Sequence, residues 1–218
     1  MSPANLTLWG SGTPRAMRAH WMLAELGLEY EHRPIHSRTG ETMTEEFLAL
    51  NPRHKIPVLQ HGSLVLCESA AIITYLSRAF PTPEGFFVPM DHARQAKLDE
   101  WCFFIMMELD ALSLYVIRRH LDLSDLYGAA PNVVESAKQQ FTEQSSALFN
   151  TFTGEIEYLM PEGMSTADIL LATCIESAIR RGIAFPETLL RYLRRLSRRP
   201  AYRAAFQKTF SDRALPEI

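Results

Sequence analysis

Apolar and polar positions follow two different rhythms along this chain. In Asn5-Leu6-Thr7-Leu8-Trp9 the period is two, with Leu6 and Leu8 on one side and Thr7 and Trp9 on the other. That alternation predicts a short strand over 5–10. After the loop Gly10-Ser11-Gly12-Thr13-Pro14, Met17, Trp21, Ala24 and Leu28 recur at helical spacing and predict a helix over 15–27, stopped by Gly27. Tyr30 to Pro34 reads as a second strand, kept at an edge or an end by Pro34. The stretch 41–50 reads as a short helix closed by Asn51-Pro52. Two apolar runs, Ile56 to Gln60 and Leu64 to Leu66, flank His61-Gly62-Ser63 and give a hairpin signal. Ala71, Ile72, Tyr75 and Leu76 then mark a helix over 70–78. The predicted order is β-α-β-α-β-β-α, with mixed strand directions and helices on both faces of the sheet.

Residues 80–90, FPTPEGFFVPM, carry three prolines and a glycine and read as a linker. Beyond them the spacing is helical over 91–121, 132–160, 166–182, 187–196 and 198–208, punctuated by Pro131, Pro161, Pro186 and Pro200. The expected architecture is therefore an α/β domain over 1–80, a linker over 81–90 and an all-α domain over 91–218.

Composition narrows the function classes. A length of 218 residues allows one large domain or two small ones. With 22 Lys and Arg against 25 Asp and Glu, the net charge of −3 offers no field for nucleic acid. Three widely spaced cysteines, Cys67, Cys102 and Cys174, make neither a disulfide framework nor a zinc site, and buried, inert thiols are expected. No apolar run reaches bilayer length and the N-terminus has no signal-peptide pattern, so a soluble cytoplasmic protein without membrane contact is expected.

Three segments carry candidate chemistry. Pro57 sits inside an apparent strand, where it cannot donate to a ladder. An edge strand satisfies that pattern, and so does a cis X-Pro turn that leaves the backbone of Val58 open to an extended peptide-like ligand. At the strand-to-helix junction Glu68-Ser69-Ala70, Ser69 either caps its own helix or offers hydroxyl and amide to a carboxylate at the helix N-terminus. Ser165-Thr166-Ala167-Asp168 is a capping box opening an apolar helix, a structural reading. The arginines at 180, 181, 191, 194, 195, 198, 199 and 203 read as a solvated helix surface.

Lys55-Ile56-Pro57-Val58-Leu59, Glu68-Ser69-Ala70-Ala71-Ile72 with Tyr75-Leu76, Glu25-Leu26-Gly27-Leu28-Glu29-Tyr30 and the Ser165–Asp168 box together resemble the glutathione S-transferases, of the cytosolic, bacterial-like type that uses a serine or threonine hydroxyl. The resemblance covers essentially the whole chain and implies a thioredoxin-like opening domain followed by a helical bundle. It implies glutathione as co-substrate, a hydrophobic electrophile as second substrate, no metal, and a homodimer serving detoxification. Pro57 matches the cis-proline, and Val58 would pair with the cysteinyl unit. Glu68 matches the acceptor of the γ-glutamyl ammonium and Ser69 the partner of its carboxylate. His54, Lys55 and Arg38 lie toward the glycyl carboxylate, and His54 departs from the family's usual glycine. Thr13 stands where the serine-using members keep their hydroxyl, with Ser11 as the alternative.

A thiol of pKa ~8.5 needs such a donor, together with a helix N-terminus, to ionise near neutrality. No cysteine lies between Ser11 and Met17, which disfavours the disulfide-reductase members of the family. Trp101, Phe104, Met107 and Tyr115 would wall the electrophile, or form plain helix core. Asp99 matches the acidic residue that reaches the partner subunit's glutathione. A glutathione-dependent isomerase, peroxidase or dehalogenase, or a non-catalytic binding protein on this fold, would share the same motifs.

Overall fold

The computed structural model describes residues 5–149 and 157–216. By internal contacts the chain divides into two units, Met1–Val88 with Arg195–Ile218, and Pro89–Arg194.

In the first unit, β1 (Leu6–Trp9), β2 (Glu31–Arg33), β3 (Val58–His61) and β4 (Leu64–Cys67) form one sheet in the order β2-β1-β3-β4. β1 is parallel to β2 and antiparallel to β3, and β3–β4 is an antiparallel hairpin. α1 (Pro14–Glu25), α2 (Glu45–Leu50) and α3 (Ser69–Ala79) complete the expected β-α-β-α-β-β-α order. Alternation along β1 buries Leu6 and Leu8 completely or nearly so. On the other face Trp9 joins Phe47, Ile56 and Val58 in a second apolar cluster, so both faces are covered where Trp9 stands. α1 ends as read: Gly27 takes φ +61, and the Leu28 amide reaches back to the Leu23 carbonyl.

The details differ in four places. The 41–50 segment is a 3-10 turn, Glu41–Met43, and then α2, because Thr44 leaves the helix to cap Phe47 with its hydroxyl. The hairpin strand starts at Val58, not Ile56, because Ile56–Pro57 is a cis peptide and proline has no N–H for the ladder. β3 is an interior strand: Val58 pairs with Trp9 on one side and Cys67 on the other. The open strand edge expected at Val58 therefore does not exist. Cys67 and Cys102 are half-buried, and only Cys174 is buried as expected.

The C-terminal boundary is also corrected. α8 (Pro200–Thr209; intervening helices below) belongs to the first unit, not to a helical domain running to 218. Its Tyr202 ring meets Trp21 of α1 edge-on at 5.0 Å, and Arg199 forms a two-bonded pair with Glu25, 2.7 Å for each bond. Apolar burial and a half-buried ion pair thus tie the last helix to the first.

The second unit is helical. α4 (His92–Phe104) runs on through a π-helical stretch, Ile105–Leu114, a single α-turn, and a second π-helical stretch, Arg118–Asp122. α5 (Pro131–Phe149), α6 (Thr166–Ile179) and α7 (Glu187–Ser197) follow. Residues 150–156 of the expected 132–160 helix lie outside the described residues, and 157–160 are not helical. α6 is buried on every side from Thr166 to Ala178. Asp168 anchors it, accepting from the Leu159 amide (2.9 Å), the Ser165 amide (2.8 Å) and hydroxyl (2.9 Å), and the Tyr192 hydroxyl (2.8 Å). Burial pushes this carboxyl up from its ordinary range, against four donors that favour the ionised form. The arginine run is less solvated than expected: Arg180 pairs with Glu176, Arg181 with Asp122, Arg194 with Glu187 and Arg199 with Glu25.

Candidate functional site

Sheet register decides where the site lies. Trp9 is the last residue of β1, and its partners are Arg33, the last of β2, and Val58, the first of β3. Val58 is in turn the partner of Cys67, the last of β4. Four connections therefore leave the sheet at one end: 10–13, 34–40, 53–57 and 68–69. They carry Ser11, Thr13, Arg38, His54, Lys55, Ile56, Pro57, Glu68 and Ser69, all singled out from sequence.

Thr13 is the N-cap of α1. Its backbone is extended and its hydroxyl accepts from the Ala16 amide at 3.1 Å, with Pro14 at the first helical position. A hydroxyl has one donor and two acceptor sites, so this cap leaves the O–H unspent at a positive helix end. Ser11 is buried and its hydroxyl donates to the Thr209 carbonyl at 2.9 Å.

Gly10 takes φ +125, and a side chain there would come within 2.8 Å of Ile56 Cβ. The Ile56 side chain thus lies directly against the Gly10 backbone and sets the β1–α1 loop beside the cis-proline turn. A methyl group on Gly12 would likewise come within 2.7 Å of His36 Nδ1. Asn51, fully buried, braces the turn from inside: its amide nitrogen donates to Lys55 O at 2.8 Å and its oxygen accepts from the Arg53 amide at 3.1 Å. His54, Lys55 and Arg38 are exposed, His54 and Arg38 with positive φ. The Glu41 carboxylate organises the 36–41 loop, bonding the Thr39 hydroxyl and the His36 amide, and these bonds hold its carboxyl below the usual range.

Glu68 has φ +68, a left-handed conformation that a non-glycine residue adopts when the surroundings demand it. It precedes the first turn of α3 without capping it through its side chain, and its carboxylate pairs with Arg53 at 3.0 Å in the open. Ser69 is not the N-cap its sequence context allows. It is the first helical residue, buried, and its hydroxyl accepts from Arg18 Nη1 at 3.2 Å. Arg18, itself 1% exposed, places a buried positive charge behind the N-terminus of α3. Neither Arg18 nor Arg53 stands out in sequence, since a lone arginine inside an amphipathic helix or a loop looks like surface.

The residues expected on the helical part lie in the second unit. Asp99 is half-buried and accepts from Gln95 at 2.8 Å. Trp101, Phe104 and Tyr115 are half-buried, and Met107 is exposed. Among the described residues no cluster of His, Cys, Asp and Glu could hold a metal ion, and no helix is long and apolar enough to cross a membrane.

Sheet order, cis-proline and the two helix N-termini define a thioredoxin-like fold joined to a helical unit. Residues 4–78 match the family model of the glutathione S-transferase N-terminal domain. Glutathione S-transferase 2 of Anopheles gambiae is 30% identical over 176 residues, 79% of this chain and 78% of that protein. Glutathione S-transferase D7 of Drosophila melanogaster is 35% identical over 113 residues, and the chain spans half of that relative's length. The theta class glutathione S-transferase of Xanthomonas axonopodis pv. citri, solved with glutathione bound, superposes with a TM-score of 0.76 at 26% identity, over 97% of this chain and 99% of that one. The chain belongs to the glutathione S-transferase family.

Proposed function

We propose that this protein conjugates the thiolate of glutathione to a hydrophobic electrophile. The observation that carries the reading is the convergence, at one end of the sheet, of the Thr13-capped helix end, the cis Ile56–Pro57 turn and the Arg18-backed Ser69. Glutathione has a thiol, two carboxylates and an ammonium, and each finds a matching group there. Thr13 donates its O–H to the sulfur at the positive end of α1, which favours thiolate over thiol. The backbone of Ile56, just outside the ladder, replaces Val58 as the partner of the cysteinyl amide. Ser69 and the α3 N-terminus take the γ-glutamyl carboxylate, Glu68 its ammonium, and Lys55, His54 and Arg38 the glycyl carboxylate.

Rate gain comes from the ionised sulfur and from holding it beside the electrophile. On the helical unit, Trp101, Phe104, Met107 and Tyr115 are the proposed apolar wall. A cytoplasmic homodimer in which Asp99 reaches the partner's glutathione is part of the same reading. The test is an ultraviolet titration of the glutathione thiolate on the purified protein, with a generic aromatic electrophile assayed alongside. A bound-thiol pKa well below that of free glutathione, with turnover, is the expected result. Binding with an unshifted thiol refutes conjugation and favours a carrier.

A further inference from the structure

Three consecutive residues of the loop that presents Thr13 are each held by groups outside it. The Gly10 carbonyl accepts from two imidazoles, His20 Nε2 at 3.1 Å and His32 Nε2 at 3.3 Å. The Ser11 amide donates to Ile35 O at 2.9 Å, and the Ser11 hydroxyl to Thr209 O at 2.9 Å. The Gly12 amide donates to the same Thr209 carbonyl at 2.8 Å. Thr209 ends α8, is 1% exposed, and turns its own hydroxyl back to Ala205 O at 2.7 Å. Its carbonyl is one of the terminal acceptors of α8 that have no partner within the helix, and both lone pairs are used by the loop.

We infer that Ser11 is a positioning residue for thiol activation: with the Thr209 carbonyl it clamps the β1–α1 loop to the end of α8, and so fixes where the Thr13 hydroxyl points. The inference rests on Thr13 as the thiol's hydrogen-bond donor. It reassigns Ser11, whose O–H points into the protein and whose side chain is buried. It also gives the last helix a part in the site, 196 residues downstream of the threonine it steers (209 − 13). A hydroxyl at 11 that served the thiol directly would have to abandon Thr209, leaving that carbonyl with one bond in a buried place. No covalent step occurs at Ser11.

The experiment compares Ser11→Ala, Ser11→Thr and Thr13→Ala with the unmodified protein by four readouts, steady-state kcat and KM for glutathione being one. Amide hydrogen exchange at Gly12 and Thr13 is measured without ligand, the bound-thiol titration with glutathione, and thermal unfolding on both. Ser11→Ala is expected to speed Gly12 exchange roughly fivefold, the effect of one neutral hydrogen bond. It should also raise the bound-thiol pKa by less than Thr13→Ala does, and lower kcat more than it changes KM for glutathione. Ser11→Thr, which keeps the donor, restores all three. A Ser11→Ala protein with a lower melting temperature but unmoved exchange and unmoved thiol pKa overturns the inference. So does one that loses the thiolate entirely while Thr13→Ala keeps it. If the unmodified protein leaves the thiol unshifted, the conjugation reading fails by itself, and the Gly12 exchange still decides the clamp.

Discussion

Arg18, buried in α1, donates to the Ser69 hydroxyl at 3.2 Å across to the first turn of α3. By accepting from a guanidinium, that hydroxyl keeps its single O–H for a second partner, on the side where the α3 amides point. Replacing Arg18 with Met removes both the orienting bond and the buried charge. Glutathione affinity is expected to fall roughly tenfold, consistent with loss of a charged hydrogen bond. Calorimetric titration of glutathione into the Arg18→Met protein checks this, and unchanged affinity would confine Arg18 to a packing role.

Thr13 serves as N-cap and as proposed thiol donor, and the two roles separate by substitution. Thr13→Ala should cost about 1 kcal/mol of stability from the lost cap. It should also raise the pKa of bound glutathione and cut kcat strongly. Thr13→Ser keeps both roles and should match the unmodified protein in unfolding and in titration. Thr13→Val, with the shape of threonine and no hydroxyl, should behave as Ala does in the titration.

Glu68 pairs with Arg53 where both side chains are more than half exposed. Exposed pairs contribute at most about 0.5–1 kcal/mol, so Glu68→Gln should barely move the melting temperature. Its effect should appear in glutathione binding, weakened about tenfold by loss of the ammonium's counter-charge. Stability and affinity measured on one preparation decide the matter; a large fall in stability with full affinity would make Glu68 structural.

His20 predicts a pH dependence. It is fully buried, donates through Nε2 to Gly10 O and accepts at Nδ1 from the Tyr30 hydroxyl at 2.6 Å. Burial, with nearby His32 and Lys208 working in the same direction, pushes the imidazole down to about 3. His32 is lowered as well, mainly by burial. Because the folded value lies below the unfolded one, the unfolded chain takes up the proton first as pH falls. Stability from His20 is therefore complete above about pH 6.5 and drains away down to about pH 3, with roughly 3 kcal/mol lost by about pH 4. Denaturant unfolding at several pH values should show this slope, and His20→Asn should flatten it.

Asp168 holds four donors in a fully buried place. Asp168→Ala leaves all four without their acceptor and should cost about 3–5 kcal/mol. Asp168→Asn keeps the shape but offers an amide group to donors and should recover only part. Thermal unfolding of the two variants gives the order.

Much of the first unit was legible because its signals are local. Alternation at Leu6–Trp9, the glycine stop at Gly27 and the hairpin around Gly62 each report a backbone preference that tertiary contacts did not override. Glu68-Ser69 and Ile56-Pro57 were legible as candidates only through the family resemblance, since each motif alone also fits a helix cap or an edge-strand proline. Arg18 and Asn51 were not legible. Their roles come from burial, and burial is a property of the packed chain. The π-helical stretches of the α4 region also escaped, since a run as apolar as Ile105-Met106-Met107 shows no period that separates an i→i+5 ladder from an α-helical one.

Local preferences in the chain are enough for the order of the elements, the helix stop at Gly27 and the hairpin around Gly62, each set within a few residues by backbone dihedrals. Tertiary structure alone decided three things. Strand register brought four loops to one end of the sheet, because Trp9, Arg33, Val58 and Cys67 align. Central placement of β3 set Val58 between two strands, paired with Trp9 and Cys67. And α8, distant in sequence, joined the first unit through Trp21, Glu25 and Ser11, where apolar burial and unspent helix-end carbonyls found their partners.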